Sequence, residues 1–308
     1  LLRTFLKDFR DILDLDFPPN IRRKIIELIG MVRFFLRICD EFWNESYILA
    51  MRYKGDKLAL RLICLDASNF IANLYYPKHA GIFFSATLVP FAYYRQVICG
   101  DVVRPVELDL PSPFDPSHLQ TLILNTISTR YRDRRLSKVP IARAIIIAQR
   151  VKRGQMICYF PSYAYMNLVL PEVLSLLPKS VEVVVQKPGM SPRERENWIA
   201  AFRSPKAKKE VLGFAVLGGM FAEGIDLVGK QLTGIVIVGT GLPGISPERN
   251  IMQQYYDQKQ QSGYHTAYTW PGFNKVQQAA GRLIRTATDR GFVLLLDDRY
   301  QQKDYLQL

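Results

Sequence analysis

VLGFAVLGGMFAEGIDLVGKQLTGIVIV, residues 211–238, is the stretch whose reading decides the fold. Its middle, GIDLVGKQ (224–231), nearly reproduces G-x-x-x-x-G-K-[ST], the loop that cradles nucleotide phosphates. It fails only at Gln231, where a magnesium-binding hydroxyl belongs. A working phosphate loop follows a strand and opens a helix, because the first amides and the dipole of that helix build the anion site. Here the apolar runs on either side, VLGFAVL (211–217) and GIVIV (234–238), both read as buried strands, so no helix has room to begin. Asp226 also places an anion where phosphate oxygens would lie. The stretch therefore reads as strand, loop, strand. Lys230 becomes a surface lysine, and no other segment supplies a phosphate loop.

The same grammar extends outward. MICYF (156–160), VEVVV (181–185) and FVLLL (292–296) are near-continuous apolar runs. Between them lie segments with helical spacing, at 162–175, 191–203, 246–261 and 274–286. The second of these opens with Ser191, Pro192 and Glu194, a capping box with proline at the first helical position. Strands apolar on both faces and separated by helices predict a parallel sheet covered on both sides. Ligands of such sheets gather at the carboxyl ends of the strands, here the loops after 160, 185, 217 and 238. Upstream, residues 1–55 carry helical spacing split by Pro18-Pro19. LALRLICL (58–65) and AGIFFSAT (80–87) read as buried strands, and the proline-rich stretch 100–118 as a linker.

Composition narrows the partners. The 308 residues, 48% hydrophobic and 22% charged, suit a well-cored protein of about two domains. Lys and Arg outnumber Asp and Glu by 41 to 28, a net +13 that favours nucleic acid first and an anionic membrane second. Nine of these cations fall in residues 129–154 against a single Asp. That run is either a patch that tracks phosphates or the solvated side of a core helix around Ala142–Ala148. No apolar run reaches the roughly 18 residues of a membrane span. The opening LLRTFLKDFR has no signal-peptide core. Cys39, Cys64, Cys99 and Cys158 form no C-x-x-C pair, and the three histidines have no paired spacing. Reduced thiols in the cytoplasm are the expectation, with no disulfide framework or zinc site. The first residue is not Met, as in a fragment of something longer.

FFSATL (83–88), CYFPSY (158–163), GGMFAEGIDL (218–227) and QAAGRLIR (278–285) occur in this order, followed by a strand and DDR (297–299). They resemble motifs III, IV, V and VI of the superfamily 2 DNA helicases of the DinG and XPD group, over roughly residues 58–300. The resemblance implies an α/β fold of the RecA-like, P-loop NTPase type, preceded by a helical segment. It implies a two-domain motor that binds ATP between its domains and single-stranded DNA across them, moving 5′ to 3′. Residues 1–57 would end an arch-type insertion, 58–100 the first motor domain, and 101–308 would be the second. Walker A and B are missing, so ATP and Mg2+ would be held mainly by the N-terminal motor domain of the same protein, and this chain alone would not hydrolyse ATP. An iron–sulfur cluster is compatible with the parent, but the cysteine quartet for it is not in this chain. The expected partners are single-stranded DNA and that N-terminal domain, without a membrane. The rival reading is a non-catalytic nucleic-acid-binding module that keeps the fold.

Gln278, Arg282 and Arg285 are four and three residues apart, so a helix would place them on one face. The resemblance makes Arg285 an arginine finger, with Arg282 beside it and Gln278 on the phosphate or the attacking water. Gly281 would allow close packing at the cleft. The alternative is a solvated arginine face. By resemblance Glu223, Gly224 and Asp226 link nucleotide to DNA, Asp226 through the ribose or an arginine. Ser85, Ala86 and Thr87 would couple hydrolysis to movement. Ser162 and Tyr163 stand where a strand meets a helix N-terminus, a natural phosphate position. Tyr163 could instead stack on a base or lie half-buried under its helix. Gln186, Lys187 and Met220 would share that rim.

Overall fold

The computed structural model describes residues 2–4, 6–7, 16–75, 81–203 and 210–306. The chain divides into two units, Leu1–Gly81 with Arg95–Arg104, and Ile82–Tyr94 with Pro105–Leu308.

In the first unit, helix α1 (Pro19–Glu41) starts at the Pro18-Pro19 break, where proline's fixed φ suits a first helical turn. The helical reading of residues 1–55 fails beyond it, and its part at 8–15 lies outside the described residues. YILAMRYK forms strand β1 (Tyr47–Lys54), antiparallel to β2 (Lys57–Cys64), with Tyr47 opposite Cys64 and Lys54 opposite Lys57. A two-residue Gly55-Asp56 turn at that position favours a hairpin over a continuing helix. The strand expected at 58–65 therefore exists, but in a hairpin that leaves Leu58 and Leu60 exposed. Helix α2 (Ser68–Tyr75) follows.

AGIFFSAT does not become a strand over its described residues. Ile82 is 85% exposed and Phe84 89%, because among the described residues no neighbouring strand completes a ladder beside them. Helix α3 (Phe91–Cys99) comes next, and residues 103–115 carry no regular structure, as a linker reading requires.

The second unit is built on a parallel sheet of six strands, ordered β3-β8-β7-β4-β6-β5. In chain order its elements begin with β3 (Leu119–Leu124), α4 (Arg134–Val151), β4 (Met156–Phe160) and α5 (Tyr163–Leu176). There follow β5 (Val181–Val185), α6 (Pro192–Arg203), β6 (Glu210–Val216) and the single turn α7 (Met220–Glu223). The unit closes with β7 (Gly234–Val238), α8 (Pro247–Gln258), α9 (Trp270–Ala280), β8 (Gly291–Leu296) and α10 (Lys303–Leu306). Alternate residues of the central strands feed two cores. Ile157, Tyr159, Ala215, Ile235 and Ile237 pack with Trp198 and Phe202 of α6 and Val276 and Ala279 of α9. Met156, Cys158, Phe160, Phe214, Val236 and Val238 pack with Ile141 and Ile145 of α4 and Met166, Val169 and Val173 of α5. Each fully buried Ile, Val or Phe contributes about 1.5–3 kcal/mol relative to exposure, so both faces drive the sheet to the centre. Cys158 lies in this core, and burial pushes its thiol well above the ordinary range.

The capping box at α6 forms reciprocally: Ser191 Oγ accepts from the Glu194 amide at 3.3 Å, and Glu194 accepts from the Ser191 amide at 2.7 Å. The decisive stretch runs as read, from β6 through α7 and an extended loop to a three-residue 3-10 turn, Gly229–Gln231, and then β7. No helix follows Lys230. Helix α9 is entered through a π-helical turn, His265–Thr269, and ends at Ala280, six residues short of the expected 286. No helix among the described residues is long and apolar enough to cross a membrane.

Candidate functional site

Two groups of residues collect at the loops of the second unit. The first joins the loop between β6 and β7 to the end of α9. Gln278 sits half-buried in the last turn of α9, but Arg282 and Arg285 project from the turns that follow. The single helical face expected for the three residues is thus broken at Gly281. Leu283 and Arg282 donate to carbonyls three residues back, at 3.1 and 3.2 Å, tightening the chain out of the helix. Nothing from another element crowds Gly281: the nearest atom to an added Cβ is the Gln277 carbonyl oxygen, 3.2 Å away.

The two arginines have different surroundings. Arg282 donates from Nε to the Ala222 carbonyl at 2.9 Å and from Nη1 to the Ile225 carbonyl at 3.3 Å. It braces the loop around α7 from the side. Beneath it the buried Tyr159 hydroxyl donates to the Phe221 carbonyl at 2.8 Å, and burial pushes that phenol well above its ordinary range. Arg285 has an ion pair with Asp226, Nε to Oδ1 at 3.7 Å, and the Asp226 side chain is 75% exposed. Such a pair contributes about 0–1 kcal/mol, so another anion can take its place. Gly224 lies at the end of α7, and the Glu223 side chain lies outside the described residues.

Asp289 completes this group, and no motif pointed to it. It is 2% exposed and accepts from the Arg285 and Thr286 amides at 2.7 and 2.8 Å. It also accepts from the Thr286 hydroxyl and the Gly229 amide, each at 2.8 Å. Burial raises its pKa, but these donors outweigh burial and hold the carboxyl below the usual range. The amide of Gly229, at φ +59, is the one that a phosphate loop would turn toward its nucleotide. Here it serves a carboxylate of the same chain. The signal available in the sequence was a Thr three residues before an Asp, a local hydroxyl–carboxylate turn.

The second group rims the carboxyl ends of β3, β4, β7 and β8. A cleft of about 460 Å³ is lined there by Thr129, Arg130, Arg134, Ser162, Gly241 and Arg299, among others. Ser162 caps α5, its Oγ accepting from the Tyr165 amide at 3.3 Å. The Arg134 guanidinium lies 4.7 Å from the Tyr165 ring centroid. The fully buried Asp297 accepts from Arg299 Nε at 2.7 Å and Nη2 at 2.9 Å, and from the Thr129 hydroxyl. Burial raises its pKa, yet Arg299 and Thr129 hold it below the ordinary range. Arg130 pairs with Asp298. DDR is thus the rivet that fastens the loop after β3 to the end of β8.

Of the other rim residues, Lys187 is exposed and Met220 half-buried. Gln186 is 2% exposed and committed at both ends of its amide: Oε1 accepts from the Val216 amide at 2.9 Å and Nε2 donates to the Tyr163 hydroxyl at 2.9 Å. It is a strut between β5, β6 and α5. The same contact accounts for Tyr163, which lies half-buried with its hydroxyl engaged. Ser85 and Thr87 form a small exposed turn, the Thr87 amide donating to Ser85 Oγ at 3.2 Å.

Residues 145–308, more than half of the chain, match the family described as Helicase C-terminal domain. Similar curated proteins include ATP-dependent DNA helicase chl1 of Aspergillus fumigatus, 24% identical over 80% of this chain and 36% of that protein. A regulator of telomere elongation helicase 1 homolog of Arabidopsis thaliana is 26% identical over 71% of this chain and 24% of its own length. Two solved structures share the fold. XPD_Helicase has a TM-score of 0.64 at 21% identity, over 99% of this chain and 53% of that one. XPD_APO has 0.66 at 22%, over 97% and 58%. The chain spans about a third of the length of the first curated relative.

Proposed function

Because this chain belongs to the helicase C-terminal domain family, as the C-terminal motor portion of a DNA helicase of the DinG and XPD group, we propose that its parent couples ATP hydrolysis to movement along single-stranded DNA. The observation that carries this reading is Arg285. It is a cation on an anchored backbone, next to the loop 220–229, with an exposed and weakly held partner. In this reading Arg285 leaves Asp226 for the γ-phosphate and stabilises charge in the transition state. Arg282 keeps the loop in shape, Gln278 meets the phosphate or the water, and Glu223, Gly224 and Asp226 pass the nucleotide state toward DNA. Residues 1–57, 58–100 and 101–308 are then the end of an arch-type insertion, the tail of the first motor domain and the second motor domain.

Among the described residues no group of three or more His, Cys, Asp or Glu could hold a metal ion. We assign Mg2+ and most ATP contacts to the N-terminal motor domain, along with any iron–sulfur cluster. For DNA the reading uses the carboxyl rim of the sheet, with Ser162, Arg130 and Arg134 of the cleft and, farther along the rim, Lys187 toward phosphates, Met220 and Tyr163 toward the bases, and Gln186 holding Tyr163 in place. Ser85 and Thr87 relay hydrolysis to movement. We infer that the parent works in the cytoplasm, associated with the nucleoid if the cell is bacterial, and that its unwinding serves DNA repair.

The test is ATP hydrolysis by this chain alone and by the full-length protein, each with and without a single-stranded oligonucleotide. We expect no turnover by the chain and DNA-stimulated turnover by the full-length protein. In the latter Arg285→Ala should lose about 10³-fold or more in kcat, the measured worth of such an arginine. Turnover by the chain alone that disappears in Lys230→Ala would overturn the reading.

A further inference from the structure

Asp289 lies outside every motif, yet it is the point at which the two nucleotide-facing loops meet. An ionised carboxylate only accepts hydrogen bonds and has about four lone-pair sites. Here Oδ2 takes the amides of Arg285 and Thr286, while Oδ1 takes the Thr286 hydroxyl and the Gly229 amide. Three donors thus come from the turn that carries Arg285 and one from the turn that precedes β7, sixty positions away. Among the described residues, the Arg285 side chain has Asp226 as its partner, in a long, exposed pair. What sets its height and direction is therefore the backbone at 285–286, and Asp289 holds that backbone.

We propose that Asp289 is a positioning residue for hydrolysis: it fixes the turn from which Arg285 projects and ties that turn to the loop between β6 and β7 through Gly229. The proposal rests on the reading of Arg285 as the phosphate-facing arginine. Asn has nearly the same shape but replaces one oxygen with an NH2, and its cheaper orientation keeps the carbonyl on the Arg285 and Thr286 amides and turns the Thr286 hydroxyl to accept from the NH2. Asp289→Asn therefore leaves the Gly229 amide without its acceptor, cuts the tie between the two turns and lets the turn shift. A misplacement of about 1 Å at a catalytic group can cost on the order of 10²-fold in rate.

The experiment uses the full-length protein and measures DNA-stimulated ATP hydrolysis for Asp289→Asn, Arg285→Ala and the double variant. We expect Asp289→Asn to lower kcat by about 10²-fold, the scale of such a misplacement, while KM for ATP and oligonucleotide affinity stay unchanged. The double variant should be no slower than Arg285→Ala alone, because one residue acts through the other. Unchanged kcat in Asp289→Asn beside a slow Arg285→Ala would overturn the proposal and leave the arginine reading standing. Losses that multiply in the double variant would overturn it too, since Asp289 would then act on its own. Full kcat in Arg285→Ala would remove both. If Asp289→Asn does not fold, Thr286→Val, which removes one donor, should give a smaller fall in kcat and the same non-additivity. Unchanged kcat in Thr286→Val would then count against the proposal.

Discussion

Arg282 and Arg285 stand three positions apart and answer to different forces. Replacing Arg282 with Ala leaves the Ala222 and Ile225 carbonyls without their charged donor, at a cost of about 1.5–3 kcal/mol for bonds of this kind. Urea titration should show that loss in Arg282→Ala and an unchanged midpoint in Arg285→Ala, whose ion pair is exposed. The sequence could rank the two only by resemblance, because neither spacing nor charge tells a brace from a reaching side chain. Asp289 was illegible for the same reason: its importance lies in four donors that only folding brings to it. Asp289 and Asp297 both sit below their ordinary range in the folded chain. The unfolded chain therefore binds these protons more readily, and the stability they contribute is complete above the unfolded carboxylate value of about 3.9. It is lost as pH falls from there through the lower folded values. A Tm series from pH 7 to pH 3 should drop at the acid end, and Asp289→Asn should flatten that drop.

Elements were legible where burial is two-sided. β4, β6 and β7 feed both cores, so their runs stay free of charge and amide side chains at every position after Glu210 and stand out against any background. β3 did not, because it lies at the sheet edge with Leu119, Leu122 and Ile123 exposed and polar neighbours between. The 80–87 run misled in the opposite direction, being apolar with no described strand to pair with. The end of α9 misled because 278, 282 and 285 keep helical spacing after the helix has tightened and stopped. Glycine spacing also hid a contact between elements. Gly241, at φ +70 in the loop after β7, has room for no Cβ: one would lie 2.3 Å from the Gly272 carbonyl oxygen of α9. Gly241→Ala should cost about 1–3 kcal/mol as an overpacked position. It should also weaken oligonucleotide binding, measured by fluorescence anisotropy, since the same loop lines the rim cleft.

At the scale of the molecule, the +13 charge includes a basic run for which the sequence left two readings open, a phosphate-tracking patch and the solvated side of a helix. The basic run divides between the cleft, where Arg130 and Arg134 lie, and the outer side of α4, where Arg143 and Arg150 are exposed. Each phosphate neutralised on a single strand adds about 0.7 to the slope of log affinity against log salt. Arg130→Gln should lower that slope by about this amount, whereas Arg143→Gln combined with Arg150→Gln should leave it in place. The strand order has a consequence of another kind. Among the described strands, β3, the first of its unit to be made, pairs with β8, the last, and with no other. Thr129, just beyond β3, waits for Asp297, 168 positions later. On a ribosome adding about 5–20 residues per second, that is on the order of ten to thirty seconds. Through that interval the nascent chain carries an unpaired edge strand, with Arg130 and Thr129 still without Asp298 and Asp297. The cleft at the carboxyl rim is thus the last part of the unit to close during synthesis, and a chain released before β8 emerges has the loops around Arg282 and Arg285 but no finished groove.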